Sequence, residues 1–187
     1  MLVIISGVSG VGKNTVIRNL MKDYEDIHFF KSVTTRPYRE GDEEIYINLS
    51  SEEFEQYKAQ GEFFETVEVH GYMYGTKNSD LKNIIQNQQT IYIKDIDVHG
   101  NRRFRTYLKD KAKYLSIFLE APDDVLFERL IKRGENEERA RIRISRSKME
   151  RKYKSDYDLI IENIDLQKTL SIIKDRLKQE GINTKSK

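Results

Sequence analysis

The stretch from Gly7 to Thr15 reads Gly-Val-Ser-Gly-Val-Gly-Lys-Asn-Thr and follows directly on the apolar run Leu2-Val3-Ile4-Ile5. An apolar run of that kind reads as a buried strand. A G-x-x-x-x-G-K pattern behind a strand marks a turn into a helix, the context in which the pattern carries chemical information. Gly7, Gly10 and Gly12 let the backbone curl, so that the N–H groups of this loop, Val8, Ser9 and Val11 included, turn toward phosphate oxygens. The positive end of the following helix and the mobile charge of Lys13 add to the attraction. Such a loop suits a triphosphate. Asn14 stands where a magnesium-touching hydroxyl usually follows the lysine, with Thr15 next to it. Magnesium is held largely by water and phosphate oxygens, so the Asn14 amide oxygen or the Thr15 hydroxyl suffices to complete its shell.

The rest of the chain fits a single α/β domain with two excursions. Beyond the strand 2–5 and the helix 13–24, residues 29–33 read as a second short strand, which Pro37 keeps from extending through a central sheet. Residues 36–80 then lose helical period. They carry short alternating or aromatic stretches around one helix, 51–60, with Ser51 as its cap. A strand–helix pattern returns with helix 80–87, strands 90–96 and 114–120, helix 123–132, strand 158–162 and helix 166–179. Strands alternating with helices predict a parallel sheet covered on both faces.

Composition excludes more than it identifies. Among 187 residues there is no cysteine, so disulfides and thiolate metal sites are ruled out, which suits a reducing compartment. The opening residues lack the basic flank and cleavage site of a signal peptide, and no apolar run approaches the ~20 residues of a membrane span. A net charge of +2 is too small to imply a polyanionic partner. Residues 129–154 do concentrate eleven basic side chains against four acidic ones. They lack the interleaved aromatics of a platform for stacking nucleic-acid bases.

Ligands of open parallel sheets sit beyond the carboxyl ends of the strands, and four groups of residues are expected there. Ser32, Arg36 and Arg39 follow the second strand, and arginines three apart on an irregular loop suit a dianionic phosphate. Glu65 ends an aromatic strand, nine residues before Tyr74-Gly75-Thr76. A buried carboxylate there can accept two hydrogen bonds at once, as guanine N1–H and its exocyclic amine offer and adenine does not. Asp95 and Asp97 terminate a buried strand, where carboxylates are costly unless something positive answers them. Lys13 and a hydrated magnesium ion would answer Asp95, and Asp97 is left to engage the acceptor base or to cap the following turn. Arg129, Arg133, Arg139, Arg143 and Arg146 lie on or beside a charged flap, the last three on one helical face. Arginines closing over a phosphoryl group stabilise the spread charge of its transition state.

Taken in order, these residues resemble the guanylate kinase family over nearly the whole chain. The resemblance rests on Gly7 to Lys13, Ser32-Val33-Thr34-Thr35-Arg36 with Arg39 and Gly41, Tyr46, and Phe64-Glu65. It continues through Val69-His70-Gly71 with Tyr74-Gly75-Thr76, Asp95-Ile96-Asp97 with Gly100, Arg129-Leu130 with Arg133-Gly134, and Tyr157-Asp158 with Asn163. It implies a P-loop kinase fold: a three-layer sandwich with a central parallel sheet, an inserted small mixed β/α subdomain for the nucleoside monophosphate, and a helical lid. The expected partition is a core of 1–34, 80–133 and 155–183, an insert of 35–79, a lid of 134–154 and a tail of 184–187.

The implied activity is magnesium- and ATP-dependent phosphorylation of GMP, and of dGMP, in the cytoplasm, by a monomer or homodimer. Ser32, Arg36, Arg39 and Tyr46 would bind the acceptor phosphate, with Tyr74 near it. Glu65, Thr76 and Asp97 would read guanine, and Arg129 and Arg143 would close on the phosphates from the lid. Asp95 would meet the metal through water. The chain departs from the family at Asn14, at Pro37-Tyr38, at Thr66 and His99, and in a 39–46 stretch about two residues short. The lid is also one residue short, which leaves Arg141 as an alternative to Arg143. Two rivals remain open: a guanylate-kinase-like module that binds phosphopeptides without catalysis, and a kinase for another nucleoside monophosphate.

Overall fold

The structure, a computed structural model, describes residues 1–38, 43–69, 71–87 and 90–181. In chain order the first half forms β1 (Leu2–Gly7), α1 (Lys13–Asp23), β2 (Ile27–Phe29), β3 (Ser32–Thr34), β4 (Tyr46–Asn48), α2 (Ser51–Ala59), β5 (Phe63–Val69), β6 (Tyr72–Lys77) and α3 (Asn78–Gln86). The second half forms β7 (Ile91–Asp95), α4 (Val98–Leu108), β8 (Tyr114–Glu120), α5 (Asp123–Lys132), α6 (Glu137–Arg151), β9 (Leu159–Glu162) and α7 (Leu166–Gln179).

Alternation along β1 sets the layering. Val3 and Ile5 pack into one cluster with Val16, Ile17 and Leu20 of α1 and Ile173 and Leu177 of α7. Leu2 and Ile4 point the other way, into Leu81 and Ile84 of α3 and Phe104 and Leu108 of α4. Both faces of the strand are therefore buried, and each such aliphatic side chain contributes about 1.5–3 kcal/mol. The sheet runs β2-β7-β1-β8-β9 with every neighbouring pair parallel. This is the covered parallel sheet that the sequence pattern implies.

A second sheet, ordered β4-β3-β6-β5, stands apart from the first. Strand β3 pairs parallel with β4 and antiparallel with β6, and β6 pairs antiparallel with β5. Helix α2 is held to it by Phe54, fully buried and stacked on Phe63 at 4.6 Å.

Three sequence expectations are corrected. Residues 29–33 are not one strand: β2 belongs to the large sheet and β3 to the small one, so the chain changes sheets at Phe30 and Lys31. The cap of α2 is Ser50, not Ser51. Ser50 Oγ accepts the Glu53 N–H at 3.1 Å while Glu53 accepts the Ser50 N–H at 2.8 Å, a reciprocal capping box. Helix α4 had no counterpart in the sequence reading. Gly100 and Asn101 take two of its five buried positions, beside Val98, Phe104 and Leu108, so its buried face reads as only three large apolar residues in the sequence.

Candidate active site

The turn between β1 and α1 takes its shape from glycines and from distant ties. Gly7, Gly10 and Gly12 have φ of +148°, +85° and +97°. A Cβ on Gly7 would lie 2.2 Å from the Leu119 carbonyl oxygen, the oxygen that accepts the Val8 N–H at 3.2 Å. Val8 and Val11 bury their side chains completely and leave only backbone to the turn. The Val11 carbonyl accepts from Asn163 Nδ2 at 2.7 Å and from Arg129 Nη1 at 3.1 Å. Thr169 Oγ1 in turn donates to Asn163 Oδ1 at 2.8 Å and fixes that amide. The first N–H groups of α1 have no partner within the helix and face outward with its positive dipole end, which makes an anion cradle.

Lys13 stands at this cradle, its Nζ donating to the Gly7 carbonyl at 3.0 Å and lying 4.0 Å from Asp95 Oδ1. Asp95 ends β7 with its side chain 30 % exposed, on the wall of the cleft. Burial raises its carboxyl pKa above the usual range, against the pull of Lys13 and Lys94. Asn14 and Thr15 are exposed on the first turn of α1. Among the described residues, no group of three or more His, Cys, Asp or Glu could hold a metal ion by itself. Asn14 and Thr15 on the first turn of α1 and Asp95 on the cleft wall offer oxygens of the kind a hydrated divalent cation takes.

The opposite wall is a row of side chains across the small sheet. Ser32 on β3 is in register with Tyr46 on β4, and Glu65 on β5 with Thr76 on β6. Continuing the β3–β6 register by one residue sets Thr76 beside Ser32. All four line the same cleft as Gly7, Lys13 and Asp95. Thr76 Oγ1 donates to Glu65 Oε1 at 3.4 Å, and Arg103 Nε donates to Glu65 Oε2 at 2.7 Å. Glu65 is 8 % exposed and Arg103 47 %. Toward the other end of the row the Arg36 guanidinium lies 5.2 Å from the centre of the Tyr46 ring, and Tyr74 packs edge-on to Tyr46 at 5.8 Å. Asp97 lines the cleft and also caps α4, its Oδ1 accepting the Gly100 N–H at 2.7 Å.

Helix α6 crosses above the cradle. Arg143 Nε donates to Ser9 Oγ at 2.7 Å, and Arg143 also pairs with Glu135. Glu150 from the same helix reaches the cleft beside Lys13 and the Ser9 N–H. Its Oε2 is buried without a hydrogen-bond partner among the described residues. Burial pushes the Glu150 carboxyl up, opposed by Lys13 and by the Ser9 N–H. Arg141, the alternative raised by the short lid, faces Phe127 of α5 and pairs with Glu137, so Arg143 is the arginine that touches the loop.

The expected residues converge with one exception and one omission. Arg129 lies on α5 rather than on the lid, and its guanidinium donates to three carbonyls, those of Val11, Asn163 and Ile164. Arg39 lies outside the described residues. Three residues were missed: Lys94 and Glu150, which line the cleft, and Arg103, which reaches Glu65 from α4. A lysine inside the buried run Ile91-Tyr92-Ile93-Lys94 was a readable signal for Lys94; the other two had none.

Comparison with known proteins agrees with this geometry. The family model described as guanylate kinase matches residues 1–180. The chain belongs to the guanylate kinase family. Membership makes it a nucleotide-binding transferase of the kinase class. It is 35 % identical to a guanylate kinase of a Nostoc species over 92 % of this chain and 86 % of that one. It is 34 % identical to a guanylate kinase of Thermotoga maritima over 92 % and 83 %. The crystal structure of guanylate kinase from Anaplasma phagocytophilum superposes with a TM-score of 0.73 at 26 % identity, covering 98 % of this chain and 87 % of that one. No helix among the described residues is long and apolar enough to cross a membrane.

Proposed function

We propose that this guanylate kinase family member transfers the γ-phosphoryl group of ATP to GMP, and to dGMP, by direct in-line displacement. One observation carries the reading. A single cleft has the triphosphate cradle with Lys13 on one wall and the Ser32–Tyr46–Glu65–Thr76 row on the other. Two phosphate-bearing ligands in that cleft would face each other.

The acceptor's phosphate oxygen is already an anion, so the reaction needs no strong protein base. What it needs is two mutually repelling anions held in line. The backbone from Gly7 to Thr15 and the Lys13 ammonium hold the donor phosphates. Arg36, Tyr46 and Arg39 hold the acceptor phosphate, with Tyr74 packed beside Tyr46. Glu65 accepts from guanine N1–H and the exocyclic amine, and Thr76 and Asp97 complete the base contacts. Arg143 on α6 approaches the loop to neutralise charge that spreads during transfer. Arg129 acts one step back, as a positioning residue that fixes the Val11 carbonyl. Asn14 or Thr15 and, through water, Asp95 would hold magnesium, which would supply charge neutralisation on the donor phosphates. The core, the small sheet with α2, and the lid 134–154 form one working unit that excludes water from the transfer. The reaction goes with the cytoplasmic nucleotide pool.

The test is ADP release from ATP with each nucleoside monophosphate in turn, with and without magnesium. GMP-selective, magnesium-dependent turnover is the expected result. Binding of a phosphopeptide with no turnover on any monophosphate would replace this reading with the non-catalytic module.

A further inference from the structure

Lys94 is the least expected side chain in the molecule. It ends no strand and faces no solvent: it sits within β7, 1 % exposed. Its ammonium lies 4.5 Å from the centre of the Phe30 ring and 6.0 Å from that of Phe104. Glu65 on β5, Asp80 on α3 and Asp95 on β7 supply the nearby negative field. A charge in a buried, half-aromatic pocket is costly unless it is paired and hydrogen-bonded. Its placement there calls for a reason beyond packing.

The reason is legible in one hydrogen bond. Lys94 Nζ lies 2.7 Å from Ser32 Oγ. An ammonium has three donors and no acceptor, whereas a hydroxyl has one proton and two lone pairs. The bond therefore runs one way, from Lys94 to Ser32, and it occupies a Ser32 lone pair. The Ser32 proton must point elsewhere, and Ser32 itself lines the cleft in the row that carries Tyr46, Thr76 and Glu65. We propose that Lys94 is a positioning residue of the acceptor site: it turns the Ser32 hydroxyl into a fixed donor aimed at an oxygen of the bound acceptor nucleotide. The ammonium also withdraws electron density from that oxygen, which strengthens Ser32 as a donor. The inference rests on the acceptor role proposed above for this wall. Such a donor favours acceptors that present an oxygen at this point and disfavours those that present an amine, whose N–H would meet the Ser32 proton.

The experiment compares Lys94→Met, Ser32→Ala and the double variant in the ADP-release assay at neutral pH, with thermal melting of each. Lys94→Met is expected to raise KM for GMP about tenfold while KM for ATP stays within about twofold of wild type. Its melting temperature is expected to fall, because Glu65, Asp80 and Asp95 lose a positive neighbour, so the split between the two KM values is the deciding readout. Ser32→Ala should raise KM for GMP to a similar degree, and the double variant should be no worse than the worse single one. A merely structural lysine would shift KM for both substrates together. An unchanged KM for GMP in Lys94→Met, or effects of the two substitutions that multiply, overturns the inference. Should Lys94→Met not fold, Ser32→Ala alone decides: a wild-type KM for GMP overturns the inference. Repeating the comparison with 2,6-diaminopurine ribonucleoside monophosphate, which has no 6-oxygen, locates the partner. The Lys94→Met effect persists there if the oxygen is on the phosphate and vanishes if it is on the base. Wild-type protein inactive on GMP would instead refute the proposed function itself, independently of Lys94.

Discussion

The two walls of the cleft are built from different materials. The donor wall is mostly backbone: a turn of eight or so residues, curled by Gly7, Gly10 and Gly12, with one charged side chain at its end. The acceptor wall is mostly side chains drawn from β3, β4, β5 and β6, with support from β7 and α4 behind it. A backbone cradle recognises phosphate, the part that all nucleoside triphosphates share. A side-chain row recognises a base, and it can be retuned one residue at a time. The contrast teaches where the molecule is rigid in its chemistry and where it is adjustable.

The sharpest way to break the contrast is at its one side-chain exception on the donor wall. Lys13→Met should lower kcat by about three orders of magnitude while GMP affinity, measured calorimetrically, changes little. A rate near wild type would mean that the amides alone carry the donor site. Next comes the backbone itself. Gly7→Ala drives a Cβ to within 2.2 Å of the Leu119 carbonyl oxygen, a backbone atom unable to step aside alone. The expected cost is about 3 kcal/mol, or roughly 10 °C in Tm for a chain of this size, seen by calorimetry with no ligand present. On the acceptor wall the effects should be selective instead. Glu65→Gln is expected to cut the preference for GMP over AMP by about tenfold or more, with little loss of affinity for inorganic phosphate. Equal losses for both nucleotides would move base recognition away from Glu65.

The smallest effect lies away from both walls, where α4 is tied to β8 and to the residue before β9. Arg105 of α4 reaches Asp158 at 2.9 Å and Ser116 Oγ at 2.6 Å. Burial alone would push the Asp158 carboxyl up. Hydrogen bonds from the Ser116 N–H and Oγ and from Arg105 outweigh it and hold the carboxyl below the usual carboxylate range. Its folded pKa is thus below its unfolded one, so it contributes stability at neutral pH that is lost as pH falls through 3.8 and below. Asp158→Asn should flatten the acid limb of a urea-midpoint profile without changing selectivity. A steep acid limb that survives the substitution would assign it to other carboxylates.

The same contrast explains what could be read from the chain in advance. Strand β1, its glycine turn and α1 were legible because an apolar run, three glycines and a lysine are contiguous. Helices α5 and α7 matched residue for residue, since each has a clear apolar period and clean ends. The acceptor wall was harder. The pattern of residues 29–33 shows extended chain but not that it serves two sheets, because sheet membership depends on distant partners. Ser50 and Ser51 are both good caps, and only Glu53, three residues after the first, selects between them. Helix α4 escaped notice because it buries Gly100 and Asn101, and Arg103 went unseen with it. Lys94 and Glu150 acquire meaning only from neighbours 62 and 141 positions away, Ser32 and Ser9.

The donor wall is closed by residues remote in the chain. The carbonyl of Val11 is gripped by Arg129 and Asn163, 118 and 152 positions downstream. A local sequence that spells out the turn therefore does not hold its shape alone: the clasp comes from α5 and from the residue that follows β9, and a change at either one would be felt at a phosphate.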